Sequence, residues 1–251
     1  MISIGVIAGD LRQYYIYSHL KSQNYNVEYI YELTDKDIYI LPVPFTKDNI
    51  SVNCMLKHPM SILDFIGNIS KKSTVYSGYF TKDSKDLLDN SQIKYVDLME
   101  NPYIVSENSY LTAEGLMSKV IQNVPFSLKN ESVILVGYGN CGKKIVDLFS
   151  KICRKMYIYD IDSSKYSLNK HKNIFCIPYS EIPNALSKCS LLINTSPNFI
   201  MSNEWYIKTK KEFFIFDITS NPNCFNTDEL KTYHINYHFF ISAVLLQKNT
   251  K

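Results

Sequence analysis

Two glycine-centred turns hold most of the residues in this sequence whose types and spacing could do chemistry. The first is Gly9-Asp10-Leu11-Arg12-Gln13, after the apolar run ISIGVIA, and the second is Gly137-Tyr138-Gly139-Asn140-Cys141-Gly142, after SVILV. The second has G-x-G-x-x-G spacing. In a dinucleotide-binding turn Gly137 permits the tight bend, Gly139 omits a side chain where a pyrophosphate approaches, and Gly142 lets the helix pack on the strand. Asn140 and Cys141 then fall in the first helical turn, where free amides and a partial positive charge face the phosphates. The next strand, MYIYD, ends in Asp160, which is 160 − 142 = 18 residues after the last glycine. An acid there accepts hydrogen bonds from the adenosine ribose and repels a 2′-phosphate. Asp162 adds to that repulsion, since two like charges about 4 Å apart near a surface repel by roughly 4 kcal/mol. Lys165 is the one nearby base that could offset it, so the pattern favours NAD over NADP.

Ligands of open α/β sheets bind beyond the carboxyl ends of the strands. In the second half those loops are Asn194-Thr195-Ser196-Pro197 and Asp217 onward, either lining the nicotinamide side or serving as capped turns. In the first half they are the Gly9 turn and Pro42 to Lys47. Asp10 reads as an N-cap or as a ligand-facing acid. Arg12 stands in the first turn of a helix, where a cation opposes the dipole; that fits either a surface ion pair or a site for a carboxylate.

The elements that must position these residues alternate. Strand, helix and strand open the chain, and DIYILPV, TVYSGYF and IKYVDL follow as further strands, with helical stretches near SILDFIGN and SKDLLDNSQ. A long helix, with apolar Leu111, Leu116, Val120, Ile121 and Val124, leads into the second half as a hinge. There, strands at 132–136, 156–160, 174–177, 191–194 and 213–218 alternate with helices at 140–151, 181–188 and near Trp205. The expected fold class is α/β: two doubly wound Rossmann-like domains with parallel sheets joined by a hinge helix, divided as 1–108 for substrate and 109–251 for the dinucleotide.

Composition narrows the function classes. The 251 residues are 45% hydrophobic and carry a net charge of +3 from 27 basic and 24 acidic groups, with no basic stripe for nucleic acid. Only two of those bases are arginines, Arg12 and Arg154, in a lysine-rich chain. The six cysteines form no C-x-x-C pair, and the opening MISIGVIAGD has no signal-peptide pattern, so free thiols in a cytoplasmic protein are expected. The longest apolar run, FFISAVLL, is too short to span a bilayer, which needs about 20 residues. His234 and His238 have no third ligand nearby in sequence, and no metal is expected.

Three motifs occur in order: GDLRQ, then NSYLTAEG before the hinge helix, then VGYGNCG. With Ile193-Asn194-Thr195-Ser196-Pro197 and Asp217-Ile218-Thr219-Ser220-Asn221-Pro222, this pattern resembles the A subunit of dipicolinate synthase over nearly the whole chain. The resemblance implies a nicotinamide-dependent oxidation of a dihydrodipicolinate-type dicarboxylate in the mother cell of a spore-forming bacterium. It also implies a partner, the B subunit of dipicolinate synthase, and leaves a homo-oligomer open. Arg12 becomes the candidate for holding one substrate carboxylate, with Gly9 and Asp10 shaping its turn. Thr112 and Glu114 are expected to face the substrate, Glu114 being either a general base with a burial-raised pKa or a helix-surface acid. Departures are also present. Leu111 stands where the family has proline, Asn223-Cys224 replaces a glycine pair, and the family's G-L-P-G loop and return helix have no counterpart before Lys251. Two expectations follow: a dehydrogenase subunit, impaired if that segment is needed, or a degenerate nucleotide-binding paralogue with a non-catalytic role in the complex. A hydroxyacid dehydrogenase fits less well, because no histidine with an acid partner follows the cofactor domain.

Overall fold

The structure is a computed structural model that describes residues 1–162, 164, 172–220 and 222–240. It divides into two compact units, Met1–Val105 and Ser106–Lys251. The expected hinge helix spans their boundary.

The first unit holds β1 (Ile4–Ile7), α1 (Leu11–Ser22), β2 (Val27–Ile30), β3 (Ile38–Ile40), α2 (Ile62–Asn68), β4 (Thr74–Ser77), α3 (Lys82–Asn90) and β5 (Lys94–Asp97). All five strands are parallel, in the order β2-β1-β3-β4-β5. This is a doubly wound sheet whose order reverses between β1 and β3. Side chains alternate across its faces. Ile4, Val6 and Val27 pack with Ile16, Tyr17 and Leu20 of α1, whereas Ile7, Tyr39 and Val75 pack with Phe65 of α2 and Leu88 of α3. Each helix begins on a polar cap: Asp10, Ser61 and Thr81 accept from backbone N–H groups of α1, α2 and α3.

α4 (Pro102–Asn123) crosses into the second unit. There follow β6 (Ser132–Val136), α5 (Asn140–Phe149), β7 (Lys155–Tyr159), β8 (Ile174–Cys176), α6 (Ile182–Lys188), β9 (Leu191–Asn194), α7 (Asn203–Tyr206), β10 (Phe214–Asp217), α8 (Thr227–Thr232) and β11 (Asn236–Phe239). The sheet is parallel with the order β11-β10-β9-β6-β7-β8, the Rossmann arrangement, and it reverses between β6 and β9. One face, with Val133, Leu135 and Ile193, packs on Leu116 and Val120 of α4 and on Ile145 and Phe149 of α5. The other, with Ile134, Val136 and Leu192, packs on Leu186 of α6 and Leu230 of α8. Burying each such side chain contributes about 1.5–3 kcal/mol, so helices on both faces are what the continuous apolar strands require.

The packed face of α4 differs from the expected one. Leu111 and Ile121 are exposed, and the buried residues are Ser109, Thr112, Ala113, Leu116 and Val120. The polar members tolerate burial because their groups are satisfied locally, as where the Thr112 hydroxyl donates to Asn108 O at 2.8 Å. No helix among the described residues is long and apolar enough to cross a membrane.

Candidate functional site

Most of the residues singled out in sequence lie at or beside the two places where strand order reverses, one in each unit, whereas Thr112 and Glu114 lie on α4. In the second unit the turn after β6 meets the loop after β9. Gly137 has φ +92°, left-handed backbone that favours glycine, and its N–H donates to Tyr159 O at 2.8 Å. A Cβ there would also run into Thr195 Oγ1. That hydroxyl lies 3.1 Å from both Val136 O and Gly137 O, and Thr195 N donates to Val136 O at 2.9 Å. Thr195 thus stitches the N-T-S-P loop to the glycine turn. A Cβ on Gly142 would collide with Gly137 O, so helix and turn lie in direct backbone contact. Gly139 differs: a Cβ there would meet nothing within 4 Å. Its lack of a side chain opens space beside the start of α5, which has no side-chain cap and therefore presents uncapped N–H groups from Asn140 onward.

Asp160 lies at the end of β7 and is 7% exposed. Its Oδ2 accepts from Tyr138 N at 2.6 Å and its Oδ1 from Asp162 N at 2.9 Å. The acid is therefore bonded to the glycine turn itself. Asp162 is exposed and accepts from the backbone and hydroxyl of Ser164; Lys165 lies outside the described residues. Cys141 places its thiol 3.7 Å from Ser109 Oγ on α4, and burial pushes its pKa up.

Asn194 and Asp217 sit behind this surface. Both are 0% exposed, and Asn194 Nδ2 donates to Asp217 Oδ1 at 3.3 Å. Asp217 also accepts from Thr219 N at 3.0 Å and Tyr237 Oη at 3.2 Å, and burial raises its pKa. Asn194 Oδ1 accepts from Ser196 N at 3.1 Å. These two side chains hold the loops that follow β9 and β10, and of the N-T-S-P residues Thr195 and Ser196 stay partly exposed and Pro197 is exposed beside them. Cys224, where the family has a glycine, fills a buried position with its sulfur 3.8 Å from both Ser196 O and Pro197 O.

In the first unit the turn after β1 meets the loop after β3. Asp10 caps α1 by accepting from Arg12 N at 2.9 Å. It also binds the guanidinium, with Arg12 Nη2 at 2.6 Å from Oδ2 and Nε at 2.9 Å from Oδ1. Burial alone would raise the Asp10 pKa, but the Arg12 hydrogen bonds and charge, with Lys47 behind them, outweigh it and hold the carboxyl below its ordinary value. Arg12 Nη2 reaches across to Val43 O at 3.1 Å. Nη1 has no acceptor among the described residues, so two N–H donors of a fixed, partly exposed guanidinium stay available. A Cβ on Gly9 would run into Pro42 and stand 2.8 Å from Gln13 Oε1. Gln13 is 2% exposed and its Oε1 has no hydrogen-bond partner. A buried acceptor left unmade costs about 1–3 kcal/mol. Nothing in the sequence marked Gln13 except its place in the turn, at the position where a capping-box side chain would return to the cap.

On α4, Thr112 is buried with its hydroxyl bonded within the helix. Glu114 is exposed, and its nearby charge raises the pKa of the Tyr110 phenol. The burial that would prepare Glu114 as a base is absent. No cluster of three metal-ligating side chains occurs among the described residues, and the His238 ring stacks on Phe216 at 4.7 Å.

Comparison with known proteins places this geometry. A sequence model for the N-terminal domain of the dipicolinate synthase A subunit matches residues 31–99. The dipicolinate synthase A subunit from Bacillus halodurans superposes with a TM-score of 0.79 at 19% identity, covering 96% of this chain and 90% of that one. Its counterpart from Bacillus subtilis gives 0.77 at 19% identity, with 98% and 91% covered. The D-lactate dehydrogenase of Lactobacillus jensenii, solved with NAD+, gives 0.59 at 11% identity, with 100% and 83% covered. None of the curated proteins compared matches the sequence. The resemblance read from the motifs therefore stands: the chain has the fold of the dipicolinate synthase A subunit, and its residues 31–99 match the N-terminal domain of that family.

Proposed function

We propose that the chain is a dipicolinate synthase A subunit that oxidises a dihydrodipicolinate-type cyclic dicarboxylate to the aromatic pyridine-2,6-dicarboxylate, with NAD preferred to NADP, beside a B subunit. The observation that carries this reading is the guanidinium of Arg12, fixed at the strand-order reversal of the first unit with Nη1 unbonded, in a chain whose second unit keeps a complete dinucleotide turn. When bound there, a nicotinamide dinucleotide supplies a hydride acceptor. The fit rests on Gly139, whose missing side chain leaves open space, and on the uncapped amides of α5 beginning at Asn140 and Cys141. Asp160 would take the adenosine ribose, and with Asp162 it disfavours a 2′-phosphate. Thr195 and Ser196 would line the nicotinamide side, held from behind by Asn194 and Asp217.

Arg12 Nη1 would bind one substrate carboxylate, while Asp10 keeps the guanidinium oriented and Gly9 keeps the turn low. Oxidation removes a hydride from one ring carbon and a proton from the ring, and aromaticity drives it. Thr112 would support the α4 segment that carries Glu114, the candidate carboxylate for that proton, with solvent water as the other acceptor. The reading also puts the protein in the cytoplasm of a sporulating mother cell. A non-catalytic, nucleotide-binding role beside the B subunit is the second reading, and the exposure of Glu114 favours it.

The test is to purify the chain alone and with its B subunit, add dihydrodipicolinate with NAD or NADP, and follow the reduced nicotinamide. Turnover with NAD exceeding that with NADP is expected. Measurable NADH binding without turnover on either cofactor would establish the second reading instead, and equal or better NADP turnover would remove the assigned role of Asp160.

A further inference from the structure

We propose that Gln13 selects for a ring N–H next to the carboxylate held by Arg12, so that the first unit recognises a nitrogen heterocycle rather than any small dicarboxylate. This rests on the reading of Arg12 as the carboxylate site. Three observations converge on it. Gln13 follows Arg12 directly in the first turn of α1, so its side chain starts one residue from the guanidinium whose Nη1 is unbonded. It is 2% exposed, yet its Oε1 has no donor. The amide also lies against Gly9, where the missing Cβ is what leaves Oε1 its place beside Pro42.

A glutamine at this position has an easy alternative use. As the third helical residue after the Asp10 cap it could close a capping box by accepting from the cap's own N–H. It does not, and the acceptor is left over at the point where the strand order of the sheet reverses and where open α/β sheets bind ligands. Arg12 supplies only donors and Gln13 an unmatched acceptor. The ligand that satisfies both has a carboxylate on the carbon adjacent to a ring N–H, acceptor and donor side by side. A carbocyclic or oxygen-ring dicarboxylate would satisfy Arg12 and leave Oε1 unpaired, and sites built to bond an N–H reject analogues that lack it.

The experiment measures binding of two rigid probes to the full chain by calorimetry: pyrrole-2,5-dicarboxylate, with a ring N–H between the carboxylates, and furan-2,5-dicarboxylate, with an oxygen there. The wild-type chain should bind the pyrrole about tenfold more tightly. Gln13→Met, of similar length but without the acceptor, should bind both alike while keeping the wild-type furan affinity. Gln13→Glu keeps an acceptor but adds a like charge, so both probes should weaken while their ratio persists; it serves if Gln13→Met does not fold. Equal binding of the two probes by the wild-type chain would overturn the proposal and leave the Arg12 reading standing, as would a Gln13→Met chain that weakens both and keeps their ratio. If neither probe binds, or Arg12→Met weakens neither, the carboxylate reading fails and this proposal with it.

Discussion

The two reversal-point turns are built from the same parts, a strand, a glycine turn and a helix start, but they are finished differently. In the Gly137 turn each of the three glycines has a separate cause in the fold: a left-handed φ at Gly137, open space at Gly139 and a backbone contact at Gly142. Its acid, Asp160, bonds to the turn through Tyr138 N. No side-chain polar atom of the turn is left buried and unpaired among the described residues. The Gly9 turn instead carries its own cation, half-neutralised by Asp10, and an acceptor with no donor. A turn made to grip the constant part of a cofactor can be completed by the fold, because the backbone does the gripping. A turn made to distinguish one small molecule from another keeps side-chain groups unmatched until the ligand supplies their partners.

The sharpest way to break this contrast is to add one methyl group at two glycines of the same turn. Gly142→Ala drives a Cβ into Gly137 O, a backbone atom that cannot step aside, so the second unit should lose several degrees of Tm and NADH affinity should fall by more than about 100-fold. Gly139→Ala meets nothing in the protein. It should fold with an unchanged Tm and still lose about tenfold or more in NADH affinity, because the methyl fills space the pyrophosphate needs. Normal NADH binding by Gly139→Ala, measured by fluorescence titration, would mean that the turn is only structural.

The matching change in the other turn should be milder. Gly9→Ala drives a Cβ into the Pro42 ring, which must shift, and against the Gln13 amide, whose side-chain end can turn aside where a backbone carbonyl could not. A destabilisation of about 1–3 kcal/mol in urea unfolding is expected, with NADH affinity unaffected. A loss of NADH binding would show that this turn is not confined to recognising the substrate.

Much of this was legible in the sequence, and the pattern of misses is physical. Strands buried on both faces, such as SVILV and LLIN, and glycine turns at their ends advertise a doubly wound sheet, so fold and reversal-point loops followed directly. Helix faces were less readable. Leu111 and Ile121 suggested one face of α4, yet Ser109 and Thr112 are buried instead, because a polar residue with a local hydrogen bond packs as well as an apolar one. α8, held by Asn226 accepting from Asp228 N and Glu229 N, is six residues long and mostly polar, with little periodicity to see. Among site residues, chemistry was legible but depth was not. Asn194 and Asp217 read as cofactor-facing and lie buried behind their loops, Glu114 reads as a candidate base and is exposed, and Gln13 reads as a turn residue and is nearly sealed. Residue type gives what a group can do; only packing gives what it can reach.

A pH experiment sharpens the Gly9 turn further. The Asp10 carboxyl is held below its ordinary value of 3.8, so its ion pair contributes stability that is fully present above that pH and is lost as the pH falls through the lowered value. In Arg12→Met the guanidinium hydrogen bonds and charge are lost while the backbone N–H of residue 12 and the charge of Lys47 still act, so the Asp10 pKa should rise from its lowered value. The first unit of that variant should then lose less stability than the wild type as the pH falls below 3.8. An Asp10 resonance that titrates in Arg12→Met as it does in the wild type, followed by NMR, would show that the Arg12 guanidinium is not what holds the acid.

The smallest effect is expected at Glu114, and it decides whether that carboxylate is the base of the proposed oxidation. A positioned general base contributes about 10²–10⁴ in rate, and it does so best when its pKa approaches the working pH. Glu114 is exposed to solvent and lacks the enclosed surroundings of a positioned base. If the ring proton leaves to water, as aromatisation allows, Glu114→Gln should lower kcat by less than about threefold with KM unchanged, and Tyr110→Phe should do no more. A fall of 100-fold or greater in kcat, with the pH–rate profile losing its acidic limb, would instead make Glu114 the base. The α4 segment would then have to close around it during turnover, and the contrast between a turn completed by the fold and one completed by its ligand would extend to this helix as well.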